Sequence, residues 1–179
     1  MHAHRGLVPL GAVSRVVVRP GRDADAAHFI ALIGICWSEY PGCVLDVDGE
    51  LPELHALASY FTAKHGALWA ADAGRAVVGM IGIAPLAQGS ATWELSRLYV
   101  APPHRGTGLA ADLLSRAERH AVAGGADRLV LWTDARFIRA HRFYEKHGWC
   151  RTGETRALAD LSRTVEYRFV KDLFGCGSG

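Results

Sequence analysis

Apolar residues recur at three- and four-residue steps through Leu109, Leu113, Leu114, Ala117, Ala121 and Val122, while Asp112, Arg116, Glu118 and Arg119 fall between them. That spacing predicts an amphipathic helix with one face on a core, stopped by Gly124-Gly125. Strands are marked instead by β-branched runs or alternation. They are expected at Val16-Val17-Val18-Arg19 before Pro20-Gly21, at 67–71 and 76–83 around the hairpin turn Asp72-Ala73-Gly74-Arg75, and at 92–100, 128–133, 149–154 and 165–170. Three further helices are expected. One, capped by Asp23 or Asp25, carries Ala27, Ile30, Ala31 and Ile33 toward Trp37; the others cover 52–64 and about 136–146. The helix between the strands at 92–100 and 128–133 is a crossover, so those two strands run parallel.

The strand at 92–100 changes parity. Trp93 and Leu95 share one face, but Leu98 and Val100 belong to the other. Either both faces are buried, or one extra residue near Ser96-Arg97 forms a β-bulge that returns the strand to its core face. A bulge frees backbone N–H and C=O groups and parts the strand from its neighbour, leaving a slot for an extended, amide-bearing ligand. The turn Ala101-Pro102-Pro103-His104-Arg105 and the glycines of Gly106-Thr107-Gly108 then open the amphipathic helix. Alternate glycines permit close approach of backbone N–H groups, and the helix start adds its unpaired N–H groups and positive dipole end. The expected guest is a phosphate.

A chain of 179 residues is long enough for one self-supporting domain, expected at 14–173 between a flexible leader at 1–13 and a disordered tail at 174–179. A formal net charge of +2 with scattered Lys and Arg gives no footprint for nucleic acid or an anionic membrane. No apolar run approaches the roughly 20 residues that span a bilayer, and no secretory core follows the N-terminus, so a cytoplasmic protein is expected. The 4 cysteines lack CxxC spacing and read as inert thiols. Asp46, Asp48 and Glu50 in the loop at 43–51 lack the bidentate Glu of a calcium loop and read as a solvated acidic loop, the secondary reading being that they border the entrance used by a cationic substrate. His2 and His4 have no further ligands at matching spacing, so no metal is expected.

Gly106-x-Gly108-x-x-Ala111 formally fits a dinucleotide fingerprint with Asp134 as ribose ligand, but five residues separate the strand end from the first glycine and no second mononucleotide half follows. A P-loop fails for want of Lys-Ser or Lys-Thr after the glycines. Arg105-Gly106-Thr107-Gly108-Leu109-Ala110 resembles the R-x-x-G-x-G/A signature of the GCN5-related N-acetyltransferases, the GNAT family. Glu94 to Pro102 is similar to the family's bulged fourth strand and loop, and Ala140-His141-Arg142-Phe143-Tyr144-Glu145-Lys146-His147-Gly148-Trp149 to its A-x-x-F/L-Y-E-K-x-G-F/W block.

The resemblance implies an α/β fold: a mixed, mostly antiparallel central sheet of six to seven strands with a splayed parallel pair, the fourth and fifth, and flanking helices. It implies an enzyme that moves acetyl from acetyl-CoA to a small-molecule or peptide amine. The pyrophosphate would lie on N–H groups of Gly106, Thr107, Gly108, Leu109 and Ala110 with Arg105 nearby, and the pantetheine arm would pair with Leu98, Tyr99 and Val100. By the same resemblance Tyr144 is the general acid, Glu94 the base directly or through water, and an N–H near Leu98 meets the oxyanion. The family's usual Asn is Phe137 here, with Thr133, Asp134 or His141 as substitutes for its contact; His141 as a base has the rival reading of a helix-surface histidine. A non-catalytic acyl-CoA-binding module is the alternative, and a homodimer through the C-terminal strands is compatible with the pattern.

Overall fold

Val17–Pro20 (β1) forms one edge of a seven-stranded sheet in the computed structural model, which describes residues 15–174. The expected leader at 1–13, His2, His4, Cys176 and the tail beyond Phe174 lie outside the described residues. The chain continues through α1 (Ala26–Trp37), α2 (Val47–Glu50), a 3-10 turn (Pro52–Ala56) leading into α3 (Leu57–Ala63), then β2 (Ala67–Asp72), β3 (Val77–Pro85) and β4 (Thr92–Val100). It closes with α4 (Leu109–Ala123), β5 (Arg128–Asp134), α5 (Ile138–Lys146), β6 (Cys150–Ala157) and β7 (Val165–Asp172). Sheet order is β1-β2-β3-β4-β5-β7-β6, antiparallel at every junction except β4–β5. A sheet with a single parallel pair has no doubly wound half, which removes the dinucleotide reading.

Two apolar cores flank the sheet. On one face α4 buries Leu113, Leu114, Ala117 and Ala121 against Ile81, Ile83, Trp93, Leu95, Leu129 and Leu131; of the stripe expected from spacing, Leu109 packs at the margin and Val122, in the last turn, is exposed. Each buried leucine contributes about 1.5–3 kcal/mol over an exposed one. On the other face α1, the 3-10 turn and α3 pack Phe29, Leu32, Ile33, Leu54, Leu57 and Phe61 onto Met80 and Ala84.

The parity change in β4 is a bulge. Gly82 pairs with Ser96 and Met80 with Tyr99, so Ile81 alone faces both Arg97 and Leu98, and Arg97 takes a left-handed φ of 59°. Val100 thereby rejoins Trp93 and Leu95 in one core, with Leu98 packed against it. Toward β5 the ladder has only three rungs, Thr92–Arg128, Trp93–Leu129 and Glu94–Val130. Beyond Glu94 the strands part: β4 follows β3, and β5 follows β7.

Several local expectations are corrected. Neither Asp23 nor Asp25 caps α1 with its side chain: Asp25 takes both Nη groups of Arg19, each at 2.8 Å, and Asp23 takes the N–H of Ser59 at 2.9 Å. Tertiary partners outcompete the cap. The acidic loop contains a one-turn helix because the Asp46 carboxylate accepts the Gly49 N–H at 2.9 Å. The helix expected over 52–64 starts as a 3-10 turn after Pro52, and α5 begins at Ile138 rather than 136 because the Asp134 carboxylate accepts the Arg136 N–H at 2.8 Å, forming a turn before it. β6 runs to Ala157, three residues past the expected end, as the fully exposed outer edge.

Candidate active site

The V between β4 and β5 is lined by two cavities. One, about 450 Å³, reaches from the glycine turn along Leu98, Tyr99 and Val100 to the ends of α1 and α5. The other, about 690 Å³, opens on the opposite side and is walled by Glu94, Trp132, Asp134, the end of α3 and the segment before β7. They share Trp37, Leu98, Tyr99, Phe137, Ala140 and Tyr144, so the gap joins two compartments.

At the mouth of the first cavity, Gly106 and Gly108 have φ of 73° and 88°, and a Cβ built on either meets nothing within 4 Å. The positive φ favours glycine, and the space beside it is open to a ligand. α4 starts immediately after Gly108, presenting its first N–H groups there. Gly106, Gly108 and Ala110 line the cavity; Thr107 and Leu109 do not. Thr107 Oγ1 instead donates to the His104 carbonyl at 2.7 Å, and Leu109 packs on the core.

Arg105 also lines this cavity, with each of its three guanidinium nitrogens engaged by protein. Its Nε donates to the Val100 carbonyl at 3.0 Å, Nη1 to Glu39 at 2.8 Å and Nη2 to the Cys36 sulfur at 3.6 Å. Glu39 also accepts from Arg139 on α5 at 3.0 Å. Arg105 first, then Arg139, hold the Glu39 carboxyl below its ordinary range against the upward push of partial burial. The cluster ties the glycine turn, the end of α1 and the start of α5 together. Burial pushes the Cys36 thiol up, with Arg105 opposing, which leaves it a packing group rather than a nucleophile.

Tyr144 lies between the compartments with only 6% of its surface exposed. Among the described residues no protein group hydrogen-bonds its hydroxyl, and burial, reinforced by Tyr99, raises its phenol well above the usual value, so it is a proton donor at neutral pH. Tyr99 is held by Trp37, whose Nε1 donates to its oxygen at 3.0 Å. Glu94 sits on the last parallel rung, at the apex of the V, and lines the second cavity only. Phe137 packs against Tyr40 with ring centres 4.6 Å apart and planes tilted by 45°, and lines both cavities, supplying apolar surface where an Asn was the family pattern.

His141 is not on the helix surface. It is 7% exposed, packed beside Tyr167 and Phe169, with Nε2 2.9 Å from the Asp134 carbonyl, and it lines neither cavity. Asp134 is occupied by Arg136 at 2.6 Å, facing the second cavity with Thr133. Of the acidic loop, Glu50 alone borders that cavity; Asp48 binds His55 at 2.8 Å. The sequence reading missed Trp37, Trp132, Arg156, Asp160 and the Glu39 junction. All arrive from segments distant along the chain, and no spacing rule links them.

A parted parallel pair has a glycine-led helix start at the mouth of one cavity and a buried phenol where that cavity meets a second. A model of the acetyltransferase (GNAT) family matches residues 29–149, and the chain belongs to that family. It is 32% identical over 143 residues to N-acetyltransferase 8F1 of Rattus norvegicus, covering 78% of this chain and 62% of that protein. It is 35% identical over 80 residues to an uncharacterized N-acetyltransferase of Mycobacterium bovis, covering 45% of this chain and 51% of that one. The chain thus spans between about half and two thirds of these relatives' lengths. In fold it resembles a GNAT acetyltransferase of Staphylococcus aureus (TM-score 0.75, 18% identity, 89% of this chain and 100% of that one). It also resembles an acetyltransferase of Salmonella typhimurium solved with its cofactor acetyl-CoA (TM-score 0.68, 18% identity, 93% of this chain and 98% of that one).

Proposed function

We propose that the chain is an N-acetyltransferase that uses acetyl-CoA and passes the acetyl group directly to a primary amine. The observation that carries this reading is the junction of the two cavities at Leu98, Tyr99 and Tyr144. The features present suit the cofactor: an open glycine cradle for a diphosphate, and β4 backbone beyond Glu94 that β5 leaves unpaired for an amide-bearing arm. Acetyl-CoA supplies an activated thioester carbonyl, and the remaining chemistry falls to side chains and backbone.

An ordinary alkylammonium, with a pKa of about 10.4, must lose a proton before it attacks. Glu94, at the apex on the amine side, takes that proton directly or through a water. The backbone N–H near Leu98 faces the oxygen that becomes negative. Tyr144, buried and without a protein partner, gives its proton to the departing sulfur. Arg105 acts here as a buttress: by gripping the Val100 carbonyl and Glu39 it holds the glycine turn so that backbone N–H groups face the phosphates.

The test is release of free CoA thiol from acetyl-CoA with a panel of amines, together with calorimetric binding of acetyl-CoA. Turnover with at least one amine supports the reading. Binding without turnover for any amine favours a non-catalytic acyl-CoA module, and absence of binding rejects both.

A further inference from the structure

The second cavity carries an uneven charge. Five carboxylates and three fixed cations line it. Asp134 and Glu166 are paired with Arg136 and Arg156, and Arg97 is paired with Glu53. Glu50, Glu94 and Asp160 form no ion pair among the described residues, against the single ammonium of Lys64. Glu50 takes the Leu161 N–H and Asp160 the Thr164 N–H, both at 2.7 Å, which fixes their position without an ion pair; Arg136, already paired with Asp134, also attracts Asp160. Burial works upward on Asp160, and the hydrogen bonds from Thr164 outweigh it, so the group is ionised at neutral pH.

Two further observations concern the occupant. The Tyr144 hydroxyl, on a side chain more than nine-tenths buried, borders this cavity without a protein partner, marking where the reacting end sits. The wall also already holds cations on aromatic faces: the Arg156 guanidinium lies 4.3 Å from the Trp132 ring centre, and Lys64 Nζ lies 4.4 Å from that of Tyr60.

We infer that the acceptor is a small dicationic amine: one amino group reacts between Glu94 and Tyr144, and a second positive group further along the molecule rests against Glu50 and Asp160. This rests on the acetyltransferase reading above and names its acceptor. A carboxylate in place of the second cation would face like charge, so amino acids of the same length are disfavoured.

The experiment compares matched acceptors on butyl, hexyl and octyl chains, each as monoamine, α,ω-diamine and ω-amino acid. For at least one length kcat/KM runs diamine over monoamine over amino acid, with the diamine at least about tenfold above the amino acid, the ratio expected from one partly screened charge pair. The diamine's KM rises with salt more steeply than the monoamine's. Glu50→Gln and Asp160→Asn keep acceptor oxygens for the Leu161 and Thr164 N–H groups, so the loop is retained, and each lowers the diamine-to-monoamine ratio several-fold. Acetyl-CoA binding verifies that each variant is folded. Turnover with equal or reversed preference, or variants that leave the ratio unchanged, overturns the dicationic acceptor while leaving the enzyme reading intact. If acetyl-CoA binds but no amine reacts, or if it does not bind, the enzyme reading falls and this inference with it.

Discussion

Arg97 Nη2 lies 2.5 Å from Glu53 Oε1, joining positions 44 apart in sequence, with each side chain only about one-fifth exposed. Arg97 is the bulge residue and holds a left-handed φ of 59°, a conformation that costs a residue with a Cβ about 1–2 kcal/mol. The ion pair offsets that strain and fastens the bulge to the segment after α2, whose Leu51 also walls the second cavity. Arg97→Ala and Arg97→Gly both lose the pair, but only alanine keeps the strain. Allowing for the freer unfolded chain of glycine, the Gly variant is expected to be more stable than the Ala variant by roughly 0.5–1 kcal/mol in urea unfolding. An Ala variant equal to or better than Gly would show that no strain is stored there.

Tyr144→Phe removes one oxygen and little else, because no described protein group binds that hydroxyl. The expected result is a fall in kcat of about 10²–10⁴-fold with acetyl-CoA affinity unchanged by calorimetry. The pH dependence follows from burial, which raises the phenol above its ordinary value of 10.0. The neutral donor therefore persists to pH 10, and the alkaline limb of kcat below that pH is set by another group. By linkage the unfolded chain releases this proton first, so Tyr144 withdraws stability only as pH climbs above about 10.

Gly106→Ala and Gly108→Ala each place a Cβ on a positive-φ residue, in the open space where the cofactor is proposed to lie. A stability loss of about 1 kcal/mol is expected from the backbone alone. Gly74, at φ 85° and equally open, lies in the β2–β3 turn, lines neither cavity and serves as the control. Gly74→Ala should lose similar stability and keep acetyl-CoA affinity, whereas the cradle variants should lose affinity about tenfold or more. Equal affinity across all three would remove the cradle from the cofactor site.

How far the sequence could be read follows from the range of the interactions involved. The parity change in β4 was legible because Trp93, Leu95, Leu98 and Val100 lie within one strand, but choosing a bulge over a strand buried on both faces needed the pairing with β3. The cradle was legible because its glycines precede the helix they serve. Arg105 was legible as a residue but not as a contact: its partners Glu39 and Cys36 lie 66 and 69 positions away and are set by how α1 ends beside β4. His141 was misread because its helix position looks solvent-facing until Tyr167 and Phe169 of β7 cover it. The second cavity is the extreme case, assembled from α2, α3, β4, β5 and the segment before β7, so that no stretch of chain carries its signature.

His141 provides the pH test of this packing. Burial lowers its pKa below the ordinary 6.5, and the ring is neutral with Nε2 donating to the Asp134 carbonyl, since a carbonyl can only accept. Below pH 6.5 the unfolded chain binds a proton at this residue that the folded chain resists. Stability from this group is therefore complete above pH 6.5 and is lost as pH falls toward the lowered folded value, at no more than about 1.4 kcal/mol per pH unit. In His141→Phe the aromatic contacts with Tyr167 and Phe169 are kept, while the hydrogen bond and the titration are lost. Urea midpoints measured between pH 5 and 8 should converge on acidification, the native chain losing stability faster than the variant. Parallel pH curves would mean that the imidazole is solvated in the fold, and that the α5–β7 contact is looser than its geometry indicates.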